Sequence, residues 1–340
     1  MERLFQRKRN WAGYAGFVIL LHILGIIGLF SVAKSHPAFW GIGLLAYTLG
    51  MRHAFDVDHI AAIDNTVRKL VQQKKNPLGV GFYFSLGHSS VVFLMAIATA
   101  ISVQWAQREL PWMADLGGII GASVSGCFLV VIGILNLIIL GNLFQLFRKF
   151  RSGAHNEDEF EKVLESRGFI TRMIKPFFSF ISKSWHVYPL GFLFGLGFDT
   201  ASEIALLAIS ANAAKEAIPF FGILSLPLLF AAGMSLFDTA DGMLMTRAYQ
   251  WAFTSPVRKL YYNLTVTLLA VIAALIIGVV ELGQVFSEQA GLQGGFWTWL
   301  QELDFGTLGY ILVGLFLLAW GVSVTIWKRM RIEERWSAKV

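Results

Sequence analysis

The sequence predicts an all-α integral membrane protein, a bundle of eight transmembrane helices with both termini on the cytoplasmic side. Three observations predict it. Of 340 residues, 56% are hydrophobic and 15% charged, with a mean hydropathy of +0.60, whereas soluble chains carry about 25% charged residues. Eight apolar stretches are long enough to cross a hydrocarbon core of about 30 Å as helices. Of the 28 Lys and Arg residues, 24 fall on one side of those stretches, and excess positive charge marks the cytoplasmic face.

The expected spans are 11–33, 38–66, 78–103, 117–147, 187–211, 219–247, 261–284 and 306–327, within a single membrane domain, 1–340. Arg3, Arg7, Lys8 and Arg9 precede the first span, which is too long for a signal-peptide core. "SHP" (35–37), "NPLG" (76–79) and "KEAIP" (215–219) are loop signals. The loop between spans 2 and 3 contributes Arg68, Lys69, Lys74 and Lys75 to the cytoplasmic charge. The longest polar segment, 148–186, reads as a cytoplasmic loop. "GGIIG" (117–121) and "GFLFG" (191–195) have the small-residue spacing of close helix packing, and Asn136 and Asn142 suit interhelical hydrogen bonds. The net charge of +6 is spread along these loops and indicates no nucleic-acid surface. A single cysteine, Cys127, excludes an intrachain disulfide and a cysteine-based metal site.

Charge also lies inside the spans. Span 2 carries "RHAFDVDHI", with Arg52, His53, Asp56, Asp58 and His59; span 3 carries His88; span 5, Asp199 and Glu203; span 6, Asp238 and Asp241. Each mid-membrane charge costs about 2.5–3.5 kcal/mol on insertion scales, roughly 15–20 kcal/mol for the six carboxylates. Arg52, read as a counter-ion, cannot neutralise six acids, so protons, a bound cation, or both are required. Imidazole and carboxylate ligands without thiolate suit Ni, Co, Zn, Fe or Cu. His22 in span 1 is a further candidate. Asp64 reads as a polar residue near the cytoplasmic helix end.

Helix geometry restricts the site. His53, Asp56 and His59 share one face, but six residues of ideal helix separate the two histidines by about 9 Å. One metal bonded at about 2 Å cannot easily hold both. Either the helix is distorted between 53 and 59, or two subsites lie along a path; distortion is the favoured expectation, since transporter sites often use broken helices. "FDVD" (55–58), "FDTASE" (198–203) and "FDTAD" (237–241) echo one another and hint that these spans meet around one cavity.

"RHAFDVDHI", "FSLGHSSVV", "LGFDTASEI" and "GMSLFDTADGM", in this order, resemble the motifs of the nickel/cobalt transporter family (NiCoT). The resemblance covers essentially the whole chain; Val57 and Ser202 are its small departures. It implies a secondary permease for Ni²⁺ and Co²⁺ with eight spans, in which the His-x4-Asp-His core is met by His53, Asp58 and His59, with Asp56 as ligand or support. His88, Asp199, Glu203, Asp238 and Asp241 would orient those ligands or form the path. Phe55 and His22 match the pattern of the type that takes both metals, and the loop 148–186, with only His155 and His186, is not the His-rich loop of efflux relatives. The implied activity is uptake across the cytoplasmic membrane, with the metal as substrate rather than cofactor. No Walker A pattern is present, and no ATPase subunit is implied. The alternatives are an efflux permease for the same metals and a membrane metalloenzyme; the latter needs histidines in HxxxH or HExxH sets.

Overall fold

A computed structural model describes residues 2–101, 103–151, 181–197, 201–216, 218–252, 256–303 and 305–329. The described residues form helices and connecting turns, with no strand among them. In chain order the helices are α1 (Glu2–Ala33), α2 (Phe39–His53), α3 (Val57–Gln72), α4 (Val80–Ile101), α5 (Val103–Arg151), α6 (Tyr188–Gly195), α7 (Ala201–Lys215), α8 (Phe220–Ala252), α9 (Pro256–Gln289), α10 (Gly295–Gln301) and α11 (Phe305–Arg329). A short 3₁₀ turn, Ser184–Val187, leads into α6.

Among the described residues, five helices are long and apolar enough to cross a membrane, with apolar windows Trp11–Ala33, Val80–Thr99, Asp115–Ile138, Phe220–Gln250 and Leu268–Gln289. The protein is therefore a multi-pass membrane protein. Two expected spans are absent from that set because each is split. Stretch 38–66 divides into α2 and α3, and stretch 187–211 into α6 and α7. In the last helix the apolar run is short, Gly309–Leu318. The expected loop between spans 3 and 4 is instead the start of α5. Hydropathy ends where apolar side chains end, but a helix continues while its backbone bonds do, and "QREL" is a good helix former.

Burial separates centre from periphery. In α4 and α8, 67% of the apolar window is buried within the protein, against 22% in α1. The outer face of α1 exposes Ile19, Ile23, Ile26, Ile27 and Phe30, as a lipid-facing helix does. The central helix α8 packs against α1, α2, α3 and α4, while α5 and α9 pair at the side. Close approach relies on glycine. A Cβ on Gly81 of α4 would run into the carbonyl oxygen of Asp238 on α8, and one on Gly50 of α2 into that of Phe230. Gly195 of α6 lies against the backbone of His88, so "GFLFG" seats the α4 segment that carries this histidine.

Arg68 and Lys69, expected in a cytoplasmic loop, lie within α3 and are buried. Asp64 is likewise fully enclosed rather than at a wetted helix end. The break after His53 starts a new helix that runs to Gln72 and carries these side chains into the bundle. Asn136 donates to Asn65 Oδ1 across the α5–α3 contact at 2.7 Å. The Asn142 side chain, most of segment 148–186 and Asp199 lie outside the described residues.

Candidate metal centre

The site is built around the break between α2 and α3. The N–H groups of Phe55 and Asp56 donate to the carbonyls of Arg52 (3.0 Å) and His53 (2.9 Å), the i→i−3 pattern that tightens a helix end. Asp56 then turns extended (φ −63°, ψ 139°) and occupies the N-cap of α3, a position its residue type favours. Its carboxylate makes no capping bond. It reaches back instead to His53, Nδ1 to Oδ2 at 2.8 Å. Asp58, in the first turn of α3, accepts the His59 backbone N–H at 2.8 Å. From the far side Gly309 of α11 seats on the Phe55 carbonyl. The Phe55 ring stacks on Tyr310 (4.8 Å, 23°) and tilts against Phe237 (5.1 Å).

The break brings His53 and His59 together, with ring centroids 4.6 Å apart. The third ring is His88 from α4, 4.6 Å from His53 and 4.8 Å from His59. All three are buried, and each offers one ring nitrogen within 4.8 Å of the others. Nitrogens bonded to one ion at about 2.0–2.1 Å stand about 3–4 Å apart, so a modest contraction would close the triangle on a metal.

Each imidazole has its own carboxylate. His53 meets Asp56; His59 Nδ1 meets Asp238 Oδ2 of α8 at 3.3 Å; His88 Nε2 meets Glu203 Oε1 of α7 at 2.9 Å. A carboxylate on one ring nitrogen fixes the tautomer and raises the basicity of the other, the usual support of a ligating histidine. His59 Nε2, His88 Nδ1 and Asp238 Oδ1 are buried without a hydrogen-bond partner. Such groups are costly when unmet, and a buried imidazole nitrogen or carboxylate oxygen left open is a ligand that a cation would satisfy. His53 Nε2 and His88 Nε2 are 2.8 Å apart, and His88 Nε2 also lies 2.9 Å from Glu203 Oε1, so this one nitrogen can donate to the carboxylate or offer its lone pair to an ion beside His53, not both. Phe84 stands edge-on to His59 (4.8 Å) and Phe230 lies against His53 (5.6 Å), which walls the centre with apolar rings.

Of the residues singled out in the sequence, His53, Asp56, His59, His88, Glu203 and Asp238 converge here. Asp58 stays within electrostatic reach of His59 and His53, but its bond is to the backbone. Asp241 neighbours Asp238 and Asp64. His22 is held elsewhere: Nδ1 contacts the Val18 carbonyl (2.8 Å) and Nε2 the Tyr47 hydroxyl (3.2 Å). Arg52 is exposed and forms no ion pair among the described residues, though its guanidinium lies within electrostatic reach of Asp56. The convergence of His88 on His53 and His59 was not readable from spacing, because it depends on how α4 packs.

Fold and site together define a polytopic, all-helical membrane protein with a buried, carboxylate-backed histidine triangle suited to a transition-metal ion. The chain belongs to the NicO family, described as high-affinity nickel-transport protein, whose model matches residues 39–326. It is 58% identical over 335 residues to the nickel transporter NixA of Staphylococcus aureus, covering 98% of this chain and 99% of that protein. It is 52% identical over 324 residues to the high-affinity nickel-transport protein NixA of Helicobacter pylori strain J99 (94% and 97% covered). It is 38% identical over 320 residues to the cobalt transport protein NhlF of Rhodococcus rhodochrous (92% and 91% covered). No solved structure matches the chain significantly.

Proposed function

We propose that this protein takes up Ni²⁺, and Co²⁺ with it, across the cytoplasmic membrane by secondary transport. The observation that carries the reading is the buried triangle of His53, His59 and His88, each backed by a carboxylate. The names of the relatives, nickel transporters and a cobalt transport protein, support it. The metal is substrate, not cofactor. It enters hydrated, exchanges water for imidazole nitrogen at His53, His59 and His88, and leaves toward the cytoplasm. Asp56, Asp238 and Glu203 hold the rings; Asp58, at the N-terminus of α3, adds negative charge beside them, and Asp199 belongs to the same path. Inward movement of a divalent ion gains about 4.6 kcal/mol per 100 mV, from about 2.3 per charge, so the reading needs no ATPase subunit and no enzymatic step.

The topology we propose is eight crossings in one membrane domain, the split pairs α2–α3 and α6–α7 each making one, with both termini cytoplasmic. The asymmetry of Lys and Arg supports it. Cysteine labelling that finds the connection between α9 and α11 on the cytoplasmic side would refute it. The function is tested by metal accumulation in cells expressing the protein. More nickel than in control cells is expected; less nickel would make the protein an exporter.

A further inference from the structure

The contact between α3 and α8 continues past the histidine centre. One step beyond, a Cβ on Gly242 would lie 3.6 Å from Ile63 Cγ2, and the next residue of α3 and the preceding one of α8 are Asp64 and Asp241. Tyr249, two turns on along α8, donates its hydroxyl to Asp64 Oδ1 at 2.5 Å. Arg68, one turn on along α3, is 0% exposed, as is Asp64. Its Nη2 donates to Asn65 Oδ1 (2.6 Å), the oxygen that Asn136 also holds.

This second polar cluster is incomplete. Asp64 Oδ2, Asp241 Oδ2, and Arg68 Nε and Nη1 are buried without a hydrogen-bond partner. A purely structural ion pair would close Arg68 onto Asp64 through its two-pronged guanidinium. Yet no ion pair joins them among the described residues, although Arg68 lies within electrostatic reach of Asp64. With both acids ionised, two carboxylates and one guanidinium carry a net negative charge with open oxygens. That arrangement attracts a divalent cation but does not hold it tightly. Oxygen ligands bind late transition metals more weakly than imidazole does, and the fixed positive charge of Arg68 weakens the hold further. A conducting path needs such a place, where an ion binds well enough to enter and weakly enough to leave.

We propose that Asp64 and Asp241 form an inner way-station for the transported divalent cation, and that Arg68 is a tethered cation that neutralises it between ions and hastens release. The proposal rests on the uptake reading. The full-length protein is tested with Ni²⁺, by equilibrium binding in detergent and by uptake into proteoliposomes. Asp64→Asn is expected to bind nickel at the histidine centre with unchanged affinity while uptake falls about tenfold or more, a ratio equivalent to about 1.4 kcal/mol. Arg68→Gln is expected to bind a second nickel ion per chain and to transport more slowly, because the way-station becomes a trap.

Loss of nickel binding in Asp64→Asn would make Asp64 part of the histidine centre and overturn the proposal. An unchanged binding stoichiometry in Arg68→Gln would overturn it too, leaving the cluster structural. Should Arg68→Gln not fold, the double variant Asp64→Asn/Arg68→Gln removes both charges together. Slow uptake with a single bound nickel is expected of it, and wild-type uptake would refute the way-station. His53→Ala serves as the separate control: normal nickel binding there would refute the uptake site itself, whatever the Asp64 result.

Discussion

Asp238→Asn tests the metal centre with the least disturbance of packing. The substitution keeps the side-chain volume and removes one charge from a buried carboxylate 3.3 Å from His59 Nδ1. In the native arrangement Asp238 can only accept, so His59 Nδ1 must donate, and the lone pair is left on Nε2, the buried nitrogen without a partner. Asparagine can present either end. With its carbonyl toward the ring the tautomer survives but the bond is neutral and weaker; hydrogen bonds to charged groups contribute about 1.5–3 kcal/mol against about 1 for neutral ones. With its amide toward the ring it donates to Nδ1, the proton moves to Nε2, and the ligand nitrogen is blocked. Removing such a partner of a ligating histidine typically costs 10–100-fold in metal affinity, which is about 1.4–2.8 kcal/mol. Nickel titration of the purified protein, with initial uptake rates in proteoliposomes, measures the loss. The protein should unfold at nearly the wild-type temperature, because the bond is long and volume is conserved. Nickel affinity within twofold of wild type would refute the role of Asp238 in presenting His59. A larger loss for Asp238→Ala, together with recovery in Asp238→Glu, would show the carboxylate acting as a ligand itself through Oδ1.

Other outcomes are open to the same assays. His88→Ala should abolish nickel binding as completely as His59→Ala, since the three rings are equivalent in the triangle; His22→Ala, whose ring bonds Val18 and Tyr47, should bind nickel normally. Gly81→Val drives a side chain into the Asp238 carbonyl and should destabilise by about 1–3 kcal/mol, the usual cost of overpacking, read as a lower unfolding temperature, while Gly41→Val, with open space around it, should leave that temperature unchanged. Protons compete with metal for the ring nitrogens, so nickel binding should weaken as pH falls; pH-independent affinity would argue against imidazole ligands. Phe55→Val removes the stack on Tyr310 and should shift the ratio of cobalt to nickel uptake, measured with both ions in competition.

Spacing carried much of the site. Histidines six residues apart with aspartates between them, in an apolar stretch, already required either a distorted helix or two subsites. The rise of an ideal helix alone keeps the two rings too far apart for one ion. The chain answers with a break at Ala54–Asp56, made without glycine or proline by an extended aspartate whose carboxylate is diverted to His53. The echo of Phe-Asp segments pointed to spans that meet, and Asp56 and Asp238 do stand on neighbouring histidines. What spacing could not order was rank. His88, Glu203 and Asp238 read alike as supports, because ligand and support differ only in which atom faces the centre.

The sequence by itself determined the class of the protein. Apolar length, charge asymmetry and intramembrane histidines and acids are properties of the chain, and a bilayer acts on them whatever the packing. The tertiary structure decided which groups share a site. Glycine contacts let α4 and α8 approach until His88 and Asp238 reach the rings of His53 and His59. The break re-aims α3 so that Asp64 and Arg68, a helix end and a loop by hydropathy, are enclosed in the bundle. Hydropathy sums over a segment and is blind to direction; burial and ligand geometry depend on the direction of each side chain, and only packing sets that.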